Sequence, residues 1–167
     1  MLPPTPGVLI VFGQRPDARI DIDAWCAHAE RFFATRLGLT EEKRYRPGED
    51  APRADHARFV IAPAGGEPGI RAASAGPRED ADLALAAEAE ARTGGGLALL
   101  ARRCPTVWRV TQEAEDDPLA LRLAAILASI LLGPIVDPRL PEIFGVKTAR
   151  AKLETGPARP APQTSRS

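Results

Sequence analysis

The chain has 167 residues, 22 basic and 22 acidic side chains, a formal charge of zero, 44% apolar residues and two cysteines. A length in the range of roughly 100–200 residues fits one domain, large enough to bury a core without a disulfide framework or structural metal. The balanced charge gives no electrostatic case for nucleic-acid or membrane-surface binding, and neither partner is expected.

The basic residues are 19 arginines and three lysines. With abundant Ala, Pro and Gly, that bias suggests a GC-rich, bacterial genome. The first six residues carry no basic n-region, and the apolar run at 8–12 is too short for a signal-peptide core, so a cytoplasmic home is expected. Residues 1–6 and 155–167 have little to bury and are expected to be disordered, which leaves a single domain over 7–154.

Val8 to Phe12 is a continuous apolar run ending at Gly13, the pattern of a central strand. Ile22, Trp25, Cys26, Ala29, Phe32, Phe33 and Leu37 then recur at helical spacing, predicting a helix over 21–37 that Gly38 ends. Residues 40–58 are polar and contain Pro47, Gly48 and Pro52, a long loop of the kind that often carries function. Two strands follow, 58–62 and 70–74, joined by a turn-rich segment as a hairpin.

Pro77 suits the first position of a second helix, running to Arg92 and stopped by Gly94, Gly95 and Gly96. Residues 97–103 are ambiguous between strand and helix, and Pro105 ends them. A strand is predicted over 106–112, with Trp108 and Val110 on one face. Asp117 as N-cap and Pro118 at the first turn open a last helix that stops at Gly133 and Pro134. Its uninterrupted apolar part, 123–132, is half of the ~20 residues a bilayer span takes, so a helix buried in protein is expected.

The expected class is therefore α+β: a two-layer sandwich in the order β-α-β-β-α-β-α on a mixed or antiparallel sheet. The first six elements match the ferredoxin-like order, and the last helix is an addition. That topology hosts many unrelated functions and licenses no activity.

Candidate chemistry is sparse. Cys26 and His28 lie about 200° apart around a helix, so they do not face each other, and His28 is expected on the solvated face. Cys104 follows Arg102 and Arg103, whose charges would favour a thiolate. His56 follows Asp55 in the long loop, an arrangement compatible with an oriented base. Cys104, His56 and Asp55 thus form the alternative, enzymatic site. Cys26, His28, His56 and Cys104 contain no CxxC or HxxxH pair, and no glycine loop follows a strand and opens a helix, so no metal or cofactor is expected. Arg71 and Arg109 read as solvated strand arginines, and the acidic pairs Glu79–Asp80 and Asp116–Asp117 as helix-start residues.

The segment 133–146 stands apart. Leu140, Ile143 and Phe144 are apolar there, while Pro134, Pro138 and Pro141 argue against regular structure. Such a segment packs across the domain or presents apolar side chains to a partner. The leading expectation is a non-catalytic interaction module (adaptor, chaperone, immunity-type inhibitor or complex subunit) that binds a protein partner or itself through Leu140, Ile143 and Phe144. The alternative is a small enzyme or ligand-binding domain built around the 40–58 loop.

Overall fold

The structure, a computed structural model, describes residues 7–17, 19–40 and 57–155. The elements run β1 (Gly7–Gly13), α1 (Ile22–Phe33), β2 (Thr35–Leu39), β3 (Ala57–Pro63), β4 (Gly69–Pro77), α2 (Asp80–Thr93), α3 (Leu97–Arg102), β5 (Thr106–Gln112), α4 (Pro118–Leu131), β6 (Ile135–Asp137), β7 (Glu142–Phe144) and α5 (Val146–Thr155). The class is mixed α+β. The strands form one seven-stranded sheet in the order β2-β3-β4-β5-β1-β6-β7, antiparallel at every pairing.

The element order is longer than β-α-β-β-α-β-α, for identifiable reasons. The first helix stops at Phe33, because Ala34 takes a left-handed conformation (φ 47) that ends it without glycine. Leu37 and Leu39 then sit on edge strand β2, paired with Ile61 and Phe59 of β3. A strand had been hidden inside a helical spacing. Residues 97–102 resolve as helix α3. Its N-terminal amides at Gly96 and Ala98 donate to the Glu90 carboxylate, across three successive glycines at positive φ. Pro77 ends β4 instead of opening α2, which starts three residues later with Glu79 as its cap. The prolines at 134, 138 and 141 flank a short hairpin, β6–β7, rather than abolish it: none lies within either strand.

Helices cover both faces of the sheet, where a two-layer sandwich has them on one. Leu9, Val11, Trp108 and Val110 pack under α1, α4 and α5, with Trp25 stacked on Phe59 at 6.2 Å and edge-on to Trp108 at 5.7 Å. Such aromatic pairs contribute about 0.5–1.5 kcal/mol each beyond the area they bury. The opposite faces of the same strands carry Ile10, Phe12, Val107 and Val136, which α2 and α3 cover with Ala86, Ala89 and Ala101. Apolar residues on both sides of β1 require both layers.

Helix α4 is the central element: Leu123 to Ala128 are all buried. No helix among the described residues is long and apolar enough to cross a membrane. Its C-terminus meets the end of β1 closely. The Leu131 and Leu132 carbonyls accept from the Gln14 backbone and side-chain amides, and Phe12 N–H donates to Pro134 O at 2.9 Å. A Cβ on Gly133 would lie 1.8 Å from the Phe12 carbonyl oxygen, so only glycine lets the chain pass. Gly133→Ala should lower unfolding free energy by about 3 kcal/mol or more in urea titrations. Gly76→Ala, where a Cβ meets nothing within 4 Å, is the control and should stay within about 0.5 kcal/mol of the parent.

Candidate functional site

The short connection from β5 to α4 is organised by one carboxylate. Asp117 caps α4 by accepting from Ala120 N–H at 3.1 Å, and accepts from Glu113 N–H at 2.9 Å. Arg71 of β4 reaches it with a fork, Nε at 2.7 Å and Nη2 at 2.9 Å. The Asp117 side chain is 2% exposed. Burial alone would push its carboxyl up, but the Arg71 fork and the two backbone bonds outweigh that and hold it below the ordinary value.

Beside this anchor opens a cleft of about 260 Å³ between the start of α4, the β6–β7 hairpin and α5. Leu9, Leu121, Leu140, Phe144 and Leu153 supply its apolar wall. Strand alternation sets which residues face it: Asp137, Glu142 and Phe144 fall on the cleft side of the hairpin, while Val136 and Ile143 point into the core under α2. Lys152 of α5 pairs with Glu142 at 3.0 Å and lies over the Phe144 ring, pinning α5 to β7. Arg92 of α2 donates to the Leu140 carbonyl, which fixes the hairpin turn from behind.

The polar wall is less settled. Gln112, at the end of β5, is 3% exposed and lines the cleft, and its Oε1 is buried without a hydrogen-bond partner. Glu115 and Asp116 also line it and make no ion pair among the described residues. Asp137 accepts one backbone bond, from Arg139 N–H at 3.0 Å. Burial raises its carboxyl above the ordinary value, with a smaller push from the negative charge of Glu142 and against the amide of Arg139 and the charges of Arg139 and Lys152. A second cleft, of about 560 Å³, lies between α2 and α3 against Leu83 and Leu99. Its acid, Glu90, is already engaged in capping α3.

No family model, no curated protein and no solved structure matches the chain. The geometry of its own residues therefore carries the functional argument.

Of the three interface residues read from the sequence, the structure brings Leu140 and Phe144 to the cleft. Ile143 faces the other way, 4% exposed within the core under α2. Cys104 is fully buried and donates to Leu100 O at 3.3 Å. Burial pushes its thiol up, and the nearby cation that opposes this is Arg78, rather than Arg102 or Arg103. Asp55 and His56 lie outside the described residues. His28 is half-buried instead of solvated: its Nε2 meets Ser129 Oγ at 2.8 Å and its ring packs on Phe32. Burial, then the Arg150 charge, keeps it below its ordinary value of 6.5. His28 and Ser129 line neither cleft. Among the described residues no three His, Cys, Asp or Glu side chains are grouped to hold a metal ion.

Arg71 and Arg109 are not solvated strand arginines. They lie on opposite faces of the sheet, Arg71 forked onto Asp117 and Arg109 paired with the buried Asp82 of α2 at 2.7 Å. Sequence reasoning missed Gln112 and Asp137. The available signal was alternation: Gln112 continues the Trp108–Val110 face that the strand buries.

Two outcomes follow from these carboxylates. Arg71→Met leaves Asp117 buried without its cation and should cost about 3 kcal/mol in denaturant unfolding at neutral pH. Asp137 has the opposite sign. Its raised value means its contribution is fully present below pH 3.8 and is lost as pH rises through the folded value. Asp137→Asn should therefore be more stable than the parent at pH 7, with the difference closing below pH 3.8 in melting curves.

Proposed function

We propose that this protein is a non-catalytic binding module that docks a protein partner through the cleft lined by Leu140 and Phe144. The observation that carries the reading is Leu140, a large apolar side chain 49% exposed on the cleft wall. Phe144 behind it is 4% exposed and continues the same apolar surface inward. An exposed apolar rim over a deeper aromatic wall is the arrangement in which a partner's side chain buries area on both and excludes water from the centre. At about 260 Å³ the cleft is smaller than the roughly 300–1,000 Å³ of sites that engulf a whole small molecule. That supports insertion of a single side chain from a larger body. The Cys104 thiol adds no nucleophile here: it is buried, raised and on the far side of the sheet.

Ile143 and Phe144 are core residues, so changing them would test folding and not docking. Leu140→Ser alone is the informative variant. Native mass spectrometry of the tagged protein purified gently from its own cells should show a stoichiometric protein partner with the parent chain. Leu140→Ser should lose that partner while its melting temperature stays within a few degrees. Equal retention by both chains would remove this cleft as the docking site.

A further inference from the structure

We infer that the last turn of α1 is a second docking surface, one that receives an acidic segment of a protein partner. Phe32 stands at its centre, 45% exposed, and is the one exposed aromatic ring among the described residues. Three guanidinium groups gather around it. Arg31 lies over the Phe32 ring at 5.1 Å. Arg150 of α5 donates to the Phe32 carbonyl and lies over the Phe33 ring at 4.4 Å. Arg122 of α4 donates to the Phe33 carbonyl at 3.1 Å. None of the three makes an ion pair among the described residues, and Glu30 turns to Arg36 at 3.8 Å. The chain as a whole is neutral, so this positive excess is local. None of these side chains lines the cleft beside Leu140.

Capping explains where two of these arginines reach, but it does not use up their charge. The last carbonyls of a helix need donors and draw cations. Arg122 meets that need with Nη1 alone, shared between Phe33 O and Thr35 Oγ1, and Arg150 meets it with Nη2. A guanidinium carries five N–H donors, so most of them are left for a ligand. Arg31 caps nothing. The charge also has a cost here. Burial pulls Arg122 below its ordinary value with no anion to oppose it. Burial and then Arg150 do the same to His28, whose ring packs on Phe32 at 4.7 Å. A carboxylate set against this turn relieves both. Carboxylates spaced along a segment match cations spread around a ring, and Phe32 offers that segment an apolar contact at its centre. A nucleic acid would find a single ring on which to stack, where single-strand binders stack successive bases.

The test is fluorescence anisotropy of the full chain at low salt with three dye-labelled probes: the peptide Asp-Glu-Asp-Phe-Glu-Asp-Glu, its amide counterpart Asn-Gln-Asn-Phe-Gln-Asn-Gln, and an oligouridylate. The acidic peptide should bind at least about tenfold more tightly than the amide peptide, and more weakly as salt is added. Arg31→Gln and Arg150→Gln should each weaken it about threefold or more. Arg31 bonds no carbonyl, so its loss leaves the α1 cap intact. Arg102→Gln, which removes the same charge from α3, should leave the affinity unchanged. Equal binding of the two peptides, or equal weakening by Arg102→Gln, would overturn the assignment to this turn. Tighter binding of the oligouridylate would overturn the protein partner in favour of a nucleic acid. Absence of binding by every probe would remove the surface. The cleft reading fails separately: Leu140→Ser should keep the acidic peptide at the parent affinity whether or not it loses the cellular partner, and weakened peptide binding in that variant would overturn a surface distinct from the cleft.

Discussion

Four donors converge on the Asp117 carboxylate, and the position of α4 depends on them. Two come from the Arg71 fork and two from backbone amides, one on each side of the cap. A carboxylate buried this deeply is tolerated only when its lone pairs are filled, because desolvation of an unpaired charge costs several kcal/mol. Once filled, it fixes where α4 begins relative to β4 and β5. The turn from 113 to 117 is thereby held at both ends, by the β5 ladder and by Asp117. Glu115 and Asp116 ride on that turn, so their placement over the cleft follows from the cap.

The same device recurs on the other face. Asp82 near the start of α2 accepts from Glu79 N–H at 2.8 Å and from Arg109 of β5 at 2.7 Å. Arg71 and Arg109 thus each hold one helix layer onto the sheet, from opposite sides. Between these layers the β6–β7 hairpin extends the sheet beyond β1 and turns its alternate residues to different purposes. Val136 and Ile143 complete the core under α2, and Asp137 and Phe144 build the cleft wall. A slip of one residue in the hairpin would exchange the two sets. The close pass of Gly133 beneath Phe12 sets where that hairpin begins, because it brings Pro134 O onto Phe12 N–H immediately before β6.

Much of this was legible from local pattern. The apolar run at Val8 to Phe12, the alternation at 106–112, and the Asp117–Pro118 helix start each rest on chemistry within a few residues, and each element forms where that chemistry places it. The failures are where tertiary pairing overrides local spacing. Leu37 fits a helical stripe as well as a strand, and only its pairing with Ile61 decides. Proline spacing hid β6 and β7, since a three-residue strand fits between prolines with its ladder intact. For the site, Leu140 and Phe144 stood out as apolar residues in an irregular segment. Gln112 and Asp137 did not, because a polar residue at a strand end is ordinarily solvated, and nothing local reveals that α4 and α5 close over it. Arg71 and Arg109 likewise read as solvated until their aspartates, 46 and 27 residues away, are in place.

The contrast between satisfied and unsatisfied polar groups on one face is what separates scaffold from site. Asp117 and Asp137 are aspartates on the same side of the sheet, yet one has every donor it needs and the other has a single amide. Open polar atoms are not by themselves evidence of a ligand: Trp25 and Trp108 also bury indole N–H groups without partners. Those two rings carry the aromatic core, and no smaller change removes the N–H while keeping the whole indole. Gln112 is different. A leucine or methionine there would fill similar space and leave nothing unpaired, so stability alone gives no reason for an amide. Its open acceptor, the unpaired acids beside it and the destabilising charge on Asp137 all occur where Leu140 reaches the surface.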